Sequence, residues 1–103
     1  MTDRELLVRA ANAAEIECDW SQSSQTMIVQ SFHRVIPWNP LTDDGDALRL
    51  AVKLGIVFEI FGDFVRVEWK PHHVVLEDFT TDPYAATRRA IVKAAAEMSL
   101  SVS

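Results

Sequence analysis

A chain of 103 residues with 49% hydrophobic and 24% charged side chains fits one folded domain, 1–103, and has neither a disordered nor a fibrous composition. A net charge of −5, from 15 acids against 10 bases, disfavours a basic groove wrapped around nucleic acid. No apolar run reaches the ~18 residues of a membrane-spanning helix. Cys18 has no partner for an intrachain disulfide, so the expectation is a cytoplasmic protein without a secretory signal.

Thr2-Asp-Arg-Glu5 has capping-box spacing, in which the Thr2 hydroxyl accepts the Glu5 N–H and the Glu5 carboxylate accepts the Thr2 N–H. The helix it starts carries Leu6, Leu7, Ala10, Ala11 and Ala14 on one stripe and ends near Glu15 or Ile16. "IECDWS" alternates with Ile16, Cys18 and Trp20 to one side. The polar "SQSSQ" then turns the chain into "TMIVQSF", giving two antiparallel strands. "HRVIPWNP" reads as a connector, because prolines cannot donate to a ladder or continue a helix, with Trp38 packed down as an anchor.

The acid block of "WNPLTDDGDALRLAVKLGI" is explained by the helix that follows. Asp43 caps it, Asp46 lies near its positive end, and Gly55 stops it. A divalent cation held by Asp43, Asp44 and Asp46 is the rival reading, but the segment turns helical before the further oxygen ligands of a calcium loop can appear. Asp44 is not needed by the cap. The next run, "IVFEIFGDFVRVEWK", predicts a hairpin about Gly62-Asp63. Phe61 then faces Phe64, and Glu59 faces Arg66 on the charged side. Ile56, Phe58, Ile60, Val65, Val67 and Trp69 form a wholly apolar side. Pro71 ends the strand, His72 and His73 occupy a turn, and "VVLEDF" is a further strand. Asp82 caps a last helix whose first residue is Pro83. Tyr84, Thr87, Ile91, Ala94, Ala95 and Met98 are its expected inward stripe, while Arg88, Arg89 and Lys93 point to solvent or an anionic neighbour. The predicted class is α+β in the order α-β-β-α-β-β-β-α: three helices on an antiparallel sheet, as a two- or three-layer sandwich.

Two strings, "WNPLTDDGDALRLAVKL" (38–54) and "ATRRAIVKAAAE" (86–97), resemble the small uncharacterised bacteriophage and prophage proteins of the phage ABA-sandwich domain type. The shared positions are Trp38, Asn39, Pro40, Leu41, Asp43, Asp44, Gly45, Asp46, Arg49, Arg88 and Arg89. The resemblance implies a phage-encoded protein acting in the bacterial cytoplasm, with an α/β sandwich and no assigned activity. Helices on both faces of such a sandwich would cover Phe61 and Phe64.

Catalytic chemistry finds little support in the sequence. His33, His72, His73 and Cys18 lack zinc-ligand spacing, and a Cys18–His33 dyad would need both strands and Asp19 to assemble it. Cys18 is better read as a small buried hydrophobe. No cofactor, metal or catalytic residue is therefore expected. Six acids against Arg34 over residues 15–46 serve solubility, attract a basic partner or mimic nucleic acid. The candidate partner-binding residues are Phe61, Phe64, Asp44, Glu59 and Arg66, since aromatic anchors with a polar rim are what interfaces use. Thr2, Glu5, Asp43, Asp46, Asp82 and Trp38 are assigned to caps and packing. The expected function is binding to a host or phage protein, sharpest as inhibition of a host defence system such as a CRISPR–Cas effector. The alternatives are a virion or assembly component and a cryptic metal-dependent enzyme. A homodimer through an exposed edge, "TMIVQSF" or "VVLEDF", is also an expectation.

Overall fold

The structure, a computed structural model, describes residues 1–31, 34–70, 73–80 and 82–101. Its elements are α1 (Asp3–Ala13), β1 (Asp19–Ser21), β2 (Thr26–Ser31), β3 (Arg34–Trp38), α2 (Asp44–Leu54), β4 (Val57–Ile60), β5 (Phe64–Trp69), β6 (His73–Asp78) and α3 (Pro83–Ser101). The class is α+β, as the residue pattern predicts. The order differs in one strand: β3 occupies the expected connector, and the strands form two three-stranded antiparallel sheets, β1-β2-β3 (sheet A) and β4-β5-β6 (sheet B). Pro37 is tolerated because β3 pairs on one side alone, with Pro37 opposite Ile28, and a proline at a sheet edge costs no ladder bond on the open side. The same topology puts β2 in the middle of sheet A, paired with β1 over Thr26–Ile28 and with β3 over Met27–Ser31, so the side of Val29–Ser31 away from β3 has no partner among the described residues.

Local chemistry sets the helix ends. Thr2 Oγ1 accepts the Glu5 N–H at 3.2 Å, and the Glu5 carboxylate returns to the Thr2 hydroxyl rather than to its backbone N–H. Asp43 Oδ2 accepts the Asp46 N–H at 2.8 Å. At the other end of α2, Gly55 takes the left-handed conformation (φ 68°), and Ile56 donates its N–H to the Ala51 carbonyl at 2.9 Å. This double closure satisfies the orphan carbonyls of the last turn. α1 ends by the same device without a glycine: Glu15 sits at φ 56°, and Ile16 donates to the Ala11 carbonyl at 2.9 Å. The helix therefore stops about half a turn before the limit its apolar stripe suggests. α3 starts on Asp82, whose Oδ1 accepts the N–H groups of Tyr84 (2.9 Å) and Ala85 (3.3 Å).

The core is one cluster built around α3, which packs against α1, α2, β5 and β6. Val65, Val67 and Trp69 supply the sheet side and Leu6, Leu7, Leu50 and the α1 alanines supply the helix side. Ala90, Ile91, Val92, Ala94, Ala95 and Ala96 are all buried, so α3 is enclosed nearly all round rather than along one stripe. Tyr84, expected inside, is 71% exposed, because it lines an open groove with Leu48, Phe58 and Ile60 instead of packing into the core. Alanine is what lets neighbours crowd this helix from three directions. Its three bases each reach a different neighbour: Arg88 to Asp44 of α2 (2.6 Å), Arg89 to Asp3 of α1 (2.8 Å) and Lys93 to Glu77 of β6 (2.7 Å).

Sheet A joins the body through α1. Met27 and Trp38, opposite each other in register, are buried, and Trp20 packs beside them with the Arg4 guanidinium 5.1 Å over its ring. Ile16, Cys18 and Trp20 pack toward the core as their alternation predicts, although the strand begins only at Asp19. Among the described residues, no helix is long and apolar enough to cross a membrane.

Candidate functional site

The hairpin of sheet B has the predicted register: Ile60 faces Val65, Glu59 faces Arg66, Phe58 faces Val67 and Val57 faces Glu68, closed by a bond from the Phe61 N–H to the Phe64 carbonyl at 2.9 Å. The turn forms without a left-handed glycine, since Gly62 keeps φ outside the positive region. One face of the sheet receives α3. The opposite face is uncovered, which corrects the expectation that a helix hides Phe61 and Phe64. Their rings stack at 4.7 Å between centroids and 11° between planes, and Phe61 is 41% exposed. Strand alternation puts Val57, Val74 and Leu76 on this same outer side, all of them exposed.

A short charge network crosses the face. Arg66 donates to Glu68 Oε2 at 2.8 Å and reaches Glu59 Oε1 at 3.4 Å. Phe64 lies opposite Asp78, so the paired strands set three carboxylates against one guanidinium. Apolar side chains flanking a net-negative line are thus presented to solvent. Of the residues singled out in the sequence, Phe61, Phe64, Glu59 and Arg66 come together here. Asp44 does not: it lines an apolar groove on the helix side, with Phe58 and Ile60.

Asp44 has a structural task instead. Its carboxylate takes the Arg88 Nη1–H, while Arg88 Nε–H goes to the Leu41 carbonyl at 2.9 Å, so one guanidinium ties α3 to the loop that precedes α2. Asp46 is equally occupied, accepting the Asn39 N–H at 3.0 Å and Arg49 at 2.8 Å. Asn39 Oδ1 in turn accepts the Leu41 N–H at 3.0 Å. The acid block and its arginines are therefore a clasp joining loop, α2 and α3. Among the described residues no three His, Cys, Asp or Glu side chains converge as ligands of one metal would.

The remaining candidates are quiet chemically. Cys18 is half-buried in a shallow hollow with Glu15, Glu17 and Asp19, and burial, aided by the Asp19 charge, pushes its thiol pKa up. A raised thiol pKa opposes nucleophilic use. His73 is in a strand, stacked on Trp69 at 5.3 Å, rather than in a turn. His33 and His72 lie outside the described residues, so the Cys18–His33 dyad does as well. The exposed members of the outer face, Leu76 and Val74, were missed in the sequence, where "VVLEDF" alone does not say which side receives a helix.

Comparison with protein-family models, curated proteins and solved structures gives no match. None of the three comparisons supports the expected resemblance to phage sandwich proteins, and much of what residues 38–54 and 86–97 contain belongs to the clasp.

Proposed function

We propose that this protein acts by binding another protein through the outer face of sheet B, in a phage accessory role directed at a host or phage component. Inhibition of a host defence system, such as a CRISPR–Cas effector, is the form this reading takes most sharply. The observation that carries it is the uncovered stacked pair Phe61–Phe64 beside Val57, Val74 and Leu76. Exposed apolar patches with a polar rim mark interaction sites in soluble proteins. Aromatic anchors concentrate binding energy in such sites. Because Glu59, Glu68 and Asp78 outnumber Arg66 across the strands, the fitting partner presents apolar side chains within a basic rim. The resemblance of residues 38–54 and 86–97 to phage proteins, as read from the sequence, favours the same reading.

The test uses the native chain and a Phe61→Ser/Leu76→Ser variant as baits in a bacterial lysate, with thermal melts showing both to be folded. The expected result is one stoichiometric partner held by the native chain and lost by the variant. In cells carrying an active interference system, the native chain should raise plating of a targeted phage and the variant should not. Absence of both a partner and a plating effect would end the proposal.

A further inference from the structure

Strand β4 forms an edge of sheet B with which no other described strand pairs, and its four residues are all exposed. The Phe61 N–H points at β5. By ladder alternation the backbone groups of Val57 and Glu59 do the same, and those of Phe58 and Ile60 point to the open side. Open edges of this kind pair with further strands unless proline, charge, a bulge or a covering element blunts them. The β3 edge carries Pro37 and the β6 edge carries Glu77 and Asp78. β4 has the single charge Glu59, already beside Arg66. Next to it runs an apolar groove of about 360 Å³ between α2, β4 and α3, lined by Leu48, Phe58, Ile60, Tyr84 and Ile91. Leu48 and Ile60 are each 55% exposed.

We propose that β4 pairs antiparallel with β4 of a second copy about a two-fold axis perpendicular to the sheet, joining two three-stranded sheets into one of six strands. Such an axis keeps the helix-side faces together, and charge selects the register. Centred on Glu59, the axis would set two carboxylates against each other. Centred on Phe58, it places Phe58 against Phe58 of the second copy, Ile60 against its Ile56, and Val57 against its Glu59, with no like charges opposed. Phe58 is then a hydrogen-bonded pair, since its N–H and C=O already face outward. The partly exposed Leu48, Phe58, Ile60 and Tyr84 offer on the order of 500 Å² per copy, and the edge backbone adds to this, approaching the ~800 Å² per partner of a standard interface. The dimer would present two Phe61–Phe64 patches on one side, but self-pairing does not depend on what those patches bind.

Sedimentation equilibrium from about 1 μM to about 1 mM, a range that captures micromolar affinity, is expected to give twice the 11.6 kDa chain mass for the native protein. Ile60→Lys should sediment as a single chain with native circular dichroism, and Val35→Lys on the β3 edge should leave the dimer intact. In a Cys18→Ser background, Phe58→Cys places two thiols across the axis at a Cα separation of about 5.5 Å, within disulfide reach, so mild oxidation should yield a covalent dimer. A native chain of single mass at the top concentration, or a dimer that survives Ile60→Lys, overturns the proposal. Failure of the Phe58→Cys pair to cross-link overturns the register, whether or not Ile60→Lys folds.

Discussion

Glu15 and Gly55 close two helices with the same bond pattern, yet only one is suited to it. Glu15 holds φ 56° and Gly55 φ 68°, a region that costs an L-residue about 1 kcal/mol and glycine nearly nothing. Glu15→Gly is therefore expected to stabilise the fold by up to about 1 kcal/mol, and Gly55→Ala to destabilise it by about the same amount, both read from urea midpoints. Gly62 lacks a positive φ, and a Cβ there meets nothing within 4 Å. Gly62→Ala should thus be neutral or gain a few tenths of a kcal/mol through the unfolded state. Cys18 supplies the pH dependence. With its pKa raised by burial and then by Asp19, the folded state keeps the thiol proton longer than the unfolded chain does. Stability tied to that proton is fully present below the unfolded thiol pKa and is lost as pH rises through the raised folded value. Alkylation rates should accordingly rise at higher pH than for an unstructured cysteine, and Asp19→Asn should move the profile back toward ordinary values.

Among the elements, α2 and its clasp show how one segment answers several demands. Asp43 begins the helix, Asp46 holds the Asn39 N–H, and Asp44 receives Arg88. Their costs should differ. Asp43→Ala loses a cap, about 1 kcal/mol. Arg88 is 16% exposed at its side chain whereas Asp44 is 71% exposed, so the ion pair itself is discounted by solvent to well under about 1 kcal/mol. Arg88→Met should nevertheless cost more than Asp44→Asn, because it keeps the apolar stem but also strands the Leu41 carbonyl. Arg88→Lys is not expected to rescue it, since a single ammonium cannot serve both acceptors in the fork geometry. Denaturant titration of the four variants decides the order.

At the scale of the molecule, α3 is the axis on which the other parts are hung. Ala90, Ala94 and Ala95 have essentially no exposed surface, so Ala94→Leu should overpack the centre and cost about 1–3 kcal/mol in thermal or urea unfolding. The ties made by its bases are lesser contributions. Asp3→Asn, which removes the exposed partner of Arg89, should change stability by less than about 1 kcal/mol. Sheet A hangs from this body by Met27, Trp20 and Trp38, and sheet B by Val65, Val67 and Trp69. Among the surfaces left outside are the Phe61–Phe64 face, the β4 edge and the groove beside it, and on these both proposals rest.

Much of this was legible in the chain itself, because capping and alternation are decided by neighbours a few residues apart. Thr2, Asp43 and Asp82 announced the three helices, Gly55 the end of one, and the run from Ile56 to Trp69 the register of its hairpin. Other features depended on partners far along the chain. Pro37 forbids a central strand but not an edge, and only the docking of β3 beside β2 makes it one. Asp44 had no local reason, and its reason is Arg88, 44 residues away. Tyr84 lies on the apolar side of α3, yet the groove it shares with Leu48, Phe58 and Ile60 is left open to solvent. The side of sheet B that stays wet was likewise undetermined by alternation, which separates two faces without saying which one a helix will cover. Local bonding is written in short sequence, whereas burial follows from where whole elements come to rest.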